Sequence, residues 1–474
     1  MKKFINREAE LKSLEAQYAA EGSSFVVIYG RRRVGKTTLI REFIRDKKAL
    51  YFPADKETEA ESMKRFAEFL GRYTDQGYLK DAVFDNWRSL FEIFAKHKQD
   101  EKKILVIDEL PFMVDVNPAF PSILQVAWDS WFQDNNVMLI LSGSLIHMME
   151  KYTLNYSSPL YGRRTGQIKL KQIEFQHYSK FYDNMPYRAL VEHYAVTGGV
   201  PKYIELFDGK KNLYEEIQRL ILDPDSLLYE EPEFLLRHEV EEIGSYFSII
   251  KSIAAGNHKP GKICADIGVK QNSLPKYLKT LIDLDILERE VPVTEDNPEK
   301  SKKSLYQIKD NFLRFWFRFV YPERARLALR QFDFVQEKIK ANFIDNHVAH
   351  IYENVCRSEL WRLNSERKLN FNKLGRWWNN QEEIDIVALD STGEDIVFAE
   401  CKYRTQRTDA DVFYDLLRKK ELVPWKKESR REKFVLFSIS GFTDRLIELA
   451  GERDDLLLCG GDGKVMVGFG QLSP

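Results

Sequence analysis

The stretch GRRRVGKTT, residues 30–38, sets two glycines, a lysine and two threonines at the spacing G-x4-G-K-T. It follows the apolar run SFVVIY and precedes TLIREFIRD, whose apolar residues recur at helical spacing. Glycines let the backbone curl tightly around an anion. Successive N–H groups and the start of the following helix then face that anion. Gly30, Arg31, Arg32, Arg33, Val34, Gly35, Lys36, Thr37 and Thr38 are therefore the expected cradle for a nucleoside triphosphate. Lys36 would reach the β- and γ-phosphates, and the Thr37 hydroxyl would hold Mg2+. A second apolar run, ILVIDE, delivers Asp108 to a strand end, where it would order the Mg2+ shell, with Glu109 beside it to polarise an attacking water. A third, VMLILSGS, ends in Ser142 and Ser144, hydroxyls suited to sensing the γ-phosphate. Both motifs stand in the order and context that ATP hydrolysis needs, which leaves little room for a chance match.

A second constellation lies far along the chain. EIDIVALDSTGEDIVFAECK reads as two strands around the polar turn DSTGED. With the turn centred between Thr392 and Gly393, Asp385 falls opposite Glu400, and Lys402 shares the face of Glu400. Carboxylates directly opposed repel one another, whereas a divalent cation between them reverses the sign. Asp385 and Glu400 are thus candidate Mg2+ ligands, and Lys402 is a candidate to orient or deprotonate a water. HVAHIYENVCRSELWRL offers Glu353 as a further acid on a preceding helix. Basic residues surround this region (Arg376, Arg404, Arg407, Arg418, Lys419, Lys420), with Trp377 and Trp378 beside them. Cations with aromatics suit a nucleic-acid backbone; a solvated helix face and one core tryptophan are the plainer alternative.

These residues need scaffolding. The 474-residue chain is 43% hydrophobic and 31% charged, globular proportions. A net charge of −1 excludes a global field drawing it to nucleic acid. Four scattered cysteines exclude a disulfide framework and fit a reducing cytoplasm. The apolar runs are strand-sized, so no membrane span is expected, and the N-terminus lacks a signal-peptide pattern. Residues 1–165 alternate strand and helix signals, the pattern of a parallel α/β sheet. Residues 166–235 carry helical periodicity and few strand signals, a small helical lid. Residues 236–310 read as a winged helix-turn-helix. Its first helix closes at Gly256, its third has Ser273 as N-cap and Pro275 in the first turn, and its two strands flank TEDNPEKSKK. Lys276, Lys279 and the basic wing tip suit a DNA groove, although such modules also dock proteins. Residues 311–474 open with FLRFWFRFVYP and continue as an α/β domain.

FINREAEL, GRRRVGKTT, VIDELPFM, GSLIHMM, LYGRRTG and TGGVPKY together resemble the archaeal-type ATPases, a branch of the P-loop NTPases related to AAA+ and to the signal-transduction ATPases. The resemblance extends through LYQIKDNFLRFWFRFVYP, most of the chain. It implies that Phe4, Asn6, Arg7 and Glu8 pack near the adenine. It also implies a C-terminal domain similar to the PD-(D/E)xK nucleases, whose pattern Glu353, Asp385, Glu400 and Lys402 match position by position. Arg163 or Arg164 would serve as an arginine finger, in cis or across a homo-oligomer contact, or simply anchor the lid. The expected function is an ATP-hydrolysing cytoplasmic switch coupled to DNA binding, with Mg2+-dependent DNA cleavage as the output of the C-terminal domain. The rivals are a signalling or scaffold ATPase and a DNA-binding regulator whose nuclease-like domain is inert.

Overall fold

The computed structural model describes residues 4–98, 100–240, 242–461 and 464–468. They divide into two compact units: Met1–Ile173 with Val200–Lys202 and Leu235–Glu241, and Glu174–Gly199 with Tyr203–Phe234 and Glu242–Pro474.

In the first unit, β1 (Ser24–Tyr29), β2 (Ala49–Pro53), β3 (Lys103–Asp108), β4 (Val137–Gly143) and β5 (Gly166–Lys169) form one parallel sheet in the order β2-β3-β4-β1-β5. Every residue of β1, β3 and β4 is buried, which is why these strands read as unbroken apolar runs rather than as alternations. Alternate residues Val26 and Ile28, Ile104 and Val106, Met138 and Ile140 pack against Leu39, Ile40 and Phe43 of the helix Lys36–Ile44 and Leu14 of the helix Glu8–Ala19. The chain leaves β1 for the far edge, returns strand by strand, and then crosses to the other side of β1. That reversal opens a crevice at the carboxyl end of β1, where ligands of such sheets bind.

β5 lies inside the stretch expected to be helical. Only Ile168 of GQIK is buried, so no alternation is visible in its sequence. Pairing with β1 makes it a strand, extended by Thr165 N–H donating to Phe25 O (2.8 Å) and Leu170 N–H to Tyr29 O (2.7 Å).

In the second unit, the helices Ile243–Ala254, Pro260–Ile267 and Leu274–Asp283 precede an antiparallel pair, β6 (Leu287–Glu290) and β7 (Leu305–Ile308). Ser273 holds the N-cap position, but its hydroxyl donates back to Lys270 O (2.8 Å) instead of accepting from the helix. Leu274, Leu278 and Leu281 face inward while Lys276 and Lys279 are exposed. A six-stranded mixed sheet follows: β8 (Lys373–Trp378), β9 (Glu383–Leu389), β10 (Asp395–Lys402), β11 (Arg431–Ser438), β12 (Leu456–Cys459) and β13 (Val465–Gly468), in sequential spatial order. β10, β11 and β12 run parallel and the outer pairs antiparallel. Ile396, Phe398, Phe434 and Leu436 meet Phe413 and Leu416 of the helix Ala410–Lys420. Trp377 is part of this core and Trp378 is half-buried. Val293, just beyond β6, joins the same core and donates its N–H to Arg376 O (2.9 Å). Among the described residues no helix is long and apolar enough to cross a membrane.

Candidate nucleotide site and acidic cluster

The loop between β1 and the helix Lys36–Ile44 requires both of its glycines. Gly30 has φ +149°, and a Cβ there would stand 2.3 Å from Leu170 O. Gly35, the helix N-cap, has φ +98°. Lys36 is buried, its ammonium donating to Gly30 O (2.9 Å) and Arg31 O (3.0 Å). Burial lowers its pKa, opposed by Glu109, Asp108 and Glu239. The Thr37 hydroxyl donates to Asp108 Oδ2 (2.9 Å). Tyr51 OH donates to the same oxygen (2.5 Å), and Ser142 Oγ to Oδ1. Burial, then Asp108, raises the Tyr51 pKa, so the phenol stays a donor. Glu109, at φ +60°, accepts from the backbone N–H and the hydroxyl of Ser144, both at 2.9 Å. Arg7 buttresses the loop: its guanidinium donates to Val34 O (3.1 Å) and Lys171 O (2.7 Å). This donor set, a lysine with hydroxyl and carboxylate at a helix start, fits a triphosphate and Mg2+.

Arg163 and Arg164 are otherwise engaged. Arg163 forks onto Asp129 (2.7 Å to each oxygen), and Arg164 reaches Thr153 O (3.2 Å) and Leu154 O (3.3 Å). Both pin their own loop.

Glu239, at the end of the helix Glu231–Glu239, had no sequence signal. Its Oε1 accepts from Ile146 N–H (3.2 Å) in the segment following Ser144, and Arg31 and Lys36 act on it. Burial pushes its carboxyl up to about 7. Only the three-dimensional return of the chain brings it there.

In the second unit the β9–β10 ladder runs Ile396↔Leu389 to Ala399↔Ile386. One further step along this register sets Glu400 against Asp385. Asp385 Oδ2 accepts from Cys401 N–H (2.9 Å). Glu400 is buried and clamped from both sides: Lys402 Nζ meets Oε2 (2.7 Å) and Lys419 Nζ meets Oε1 (3.0 Å). The Asp385 pKa is raised by burial and by Glu353, that of Glu400 by burial and by Asp385. Burial lowers the Lys402 pKa, but Glu400 and Asp385 outweigh it and hold it above the ordinary lysine value. Glu353 lies on the helix Ala349–Ser365 and pairs with His350 (3.6 Å) and Arg376 (3.9 Å). Among the described residues, no group of three or more His, Cys, Asp and Glu is placed to hold a metal ion. The basic run is largely neutralised internally: Arg418 pairs with Glu382 and Asp415, and Lys420 with Glu432.

A parallel sheet with a glycine-bounded, lysine-bearing loop at its switch point defines a P-loop ATPase. Residues 4–207 match the model of an ATPase domain predominantly from Archaea, and 316–413 match one described as archaeal and bacterial proteins of unknown function. An uncharacterized protein of Methanocaldococcus jannaschii is 36% identical over 426 residues, covering 89% of this chain and 92% of its own. The Walker-type ATPase of Pyrococcus abyssi shares the fold at TM-score 0.50 and 19% identity, over 66% of this chain and 96% of its own. The ORC2 protein of Aeropyrum pernix aligns at TM-score 0.43 and 14% identity, over 72% and 98%. The chain belongs to the archaeal-type ATPase family.

Proposed function

We propose that ATP binding and hydrolysis in the first unit drive a conformational switch that governs how the second unit engages DNA. Lys36 holds the phosphates, Thr37 and Asp108 hold Mg2+, Glu109 polarises water, and Ser144 holds Glu109 until a phosphate competes for that position. Mg2+ would neutralise the charge that develops on the transferred phosphoryl group. The helices Ile243–Ala254 to Leu274–Asp283 with β6 and β7 act as a winged helix, presenting the exposed Lys276 and Lys279 to phosphates.

The output rests on one observation: the buried Glu400 and the half-buried Asp385 one step beyond the paired hairpin register, with Lys402 on the same edge. In a nuclease-like domain this is the place for a divalent cation and an activated water. The clamping of Glu400 by two ammonium groups favours a second reading, a DNA-binding domain that does not cut. Plasmid incubated with Mg2+ or Mn2+, with and without ATP, separates them. Cleavage lost in both Asp385→Ala and Lys402→Ala supports cutting. Retention of DNA by intact plasmid complexes supports the regulator, and neither outcome leaves a scaffold ATPase.

A further inference from the structure

The segment that follows β4 is held by glutamates from two distant parts of the chain. At its start Glu109 accepts from the Ser144 N–H and hydroxyl (2.9 Å each). Two residues on, Glu239 Oε1 accepts from the Ile146 N–H (3.2 Å). Ile146 opens the helix Ile146–Met149, and the first N–H groups of a helix find no acceptor within it. A serine, threonine, aspartate or asparagine just before the helix is the usual local acceptor. Here that position is Leu145, extended at φ −88°, ψ 98°, and its side chain has no acceptor. Glu239 supplies one from 93 residues away. Its other oxygen, Oε2, is buried and makes no hydrogen bond among the described residues. Leaving a carboxylate oxygen unpaired inside the protein is costly. A serine at position 145 would cap the same helix without that cost, so capping alone does not account for Glu239. The helix that carries it crosses the boundary between the two units: Glu231–Glu239 lies with the second unit through Phe234 and with the first from Leu235.

We propose that Glu239 is a positioning residue for ATP hydrolysis: by fixing the first turn after β4 it holds Ser144 where Ser144 meets Glu109. In this role it acts through the short stretch Ser144–Ile146 rather than on the reacting atoms. A shift of the helix Glu231–Glu239 would withdraw the acceptor, loosen Ser144 and leave Glu109 wrongly aimed. A displacement of about 1 Å is enough, because catalytic groups tolerate little misplacement. Turnover thereby follows the position of a helix whose chain continues into the second unit. The inference rests on the roles of Glu109 and Ser144 proposed above and names the residue through which they are regulated.

Steady-state ATP turnover by the full chain tests it. Glu239→Met, close in size and without an acceptor, is expected to lower kcat about tenfold while KM for ATP changes less than about threefold. Glu239→Gln keeps a carbonyl oxygen at the same reach and should stay within about threefold of the parent kcat. In a Ser144→Ala background Glu239→Met should cost nothing further, since the two residues act as one unit. Parent-like kcat in Glu239→Met overturns the proposal. A raised KM with kcat intact also overturns it, by making Glu239 a nucleotide-binding group. Losses that add in the double variant overturn it and leave Ser144 and Glu109 in their roles. Parent-like kcat in Ser144→Ala instead removes the reading beneath it, and the proposal with it. If Glu239→Met does not fold, Glu239→Gln decides: a kcat near the parent's supports the hydrogen bond as the agent, and a loss of about tenfold with the acceptor still present overturns it.

Discussion

The nucleotide site and the acidic cluster are built from the same groups, a lysine ammonium and strand-end carboxylates, but compensate them in opposite ways. Lys36 is held by two backbone carbonyls, and Asp108 by three hydroxyls, from Thr37, Tyr51 and Ser142. These partners are dipoles, so the formal charges remain available to a charged ligand. Glu400 is held by two ammonium groups, and Glu353 lies 3.9 Å from the Arg376 guanidinium. There the charge is consumed inside the protein. A site compensated by dipoles binds ions without rearrangement, whereas one compensated by ions must first surrender a partner. The first unit is organised for its ligand as it stands, and cutting by the second would require Lys419 or Lys402 to leave Glu400.

The largest expected effects lie in the first site. Lys36→Ala should abolish ATP binding measured by calorimetry, since Lys36 is the ammonium hydrogen-bonded to the loop carbonyls among the described residues. Glu109→Gln should retain ATP while turnover in a phosphate-release assay falls about 10²- to 10⁴-fold, the usual range for a lost general base. Normal turnover in Glu109→Gln would remove the glutamate from its role.

Stability sharpens the same comparison. Lys419→Met leaves the buried Glu400 with one ammonium, and breaking a buried pair costs roughly 3 kcal/mol or more. Lys36→Met removes a charge that burial already disfavours, and should change stability by less than about 1 kcal/mol. Denaturant midpoints of the two variants check this. Similar losses in both would mean that the two lysines are compensated alike.

What the sequence disclosed follows the reach of each interaction. The loop 30–38 is contiguous, and its neighbours in space are strand ends that announce themselves as apolar runs. The facing of Asp385 and Glu400 was legible because strand period and a symmetric turn set hairpin register locally. The short edge strand β5 was not, because one buried residue in four gives no period and its identity comes from β1. Lys419 stands in a run, Arg418-Lys419-Lys420, that reads equally as a DNA contact or a solvated face. Its grip on Glu400 depends on how the helix Ala410–Lys420 lies on β10. Glu239 is the extreme case, a glutamate in an unremarkable helix about 200 residues from the loop it faces.

Glu239 gives a smaller effect than Lys419 and tests whether the nucleotide site holds a titratable charge of its own. Its folded pKa near 7 lies above the ordinary 4.5. The protonated form is therefore favoured by folding: below the ordinary value both states carry the proton and nothing is lost. As pH rises towards 7 the unfolded chain ionises first, and stability falls until the folded group ionises too. Glu239→Gln should remove this loss, gaining on the parent by about 2 kcal/mol by pH 8 once partial exposure is discounted, and by almost nothing at pH 4. Paired urea titrations across that range measure the difference. A gap independent of pH would show that Glu239 acts through its hydrogen bond to Ile146 alone. A gap that opens with pH would mean that the site compensated by dipoles still contains one acid competing with phosphate for Lys36 and Arg31.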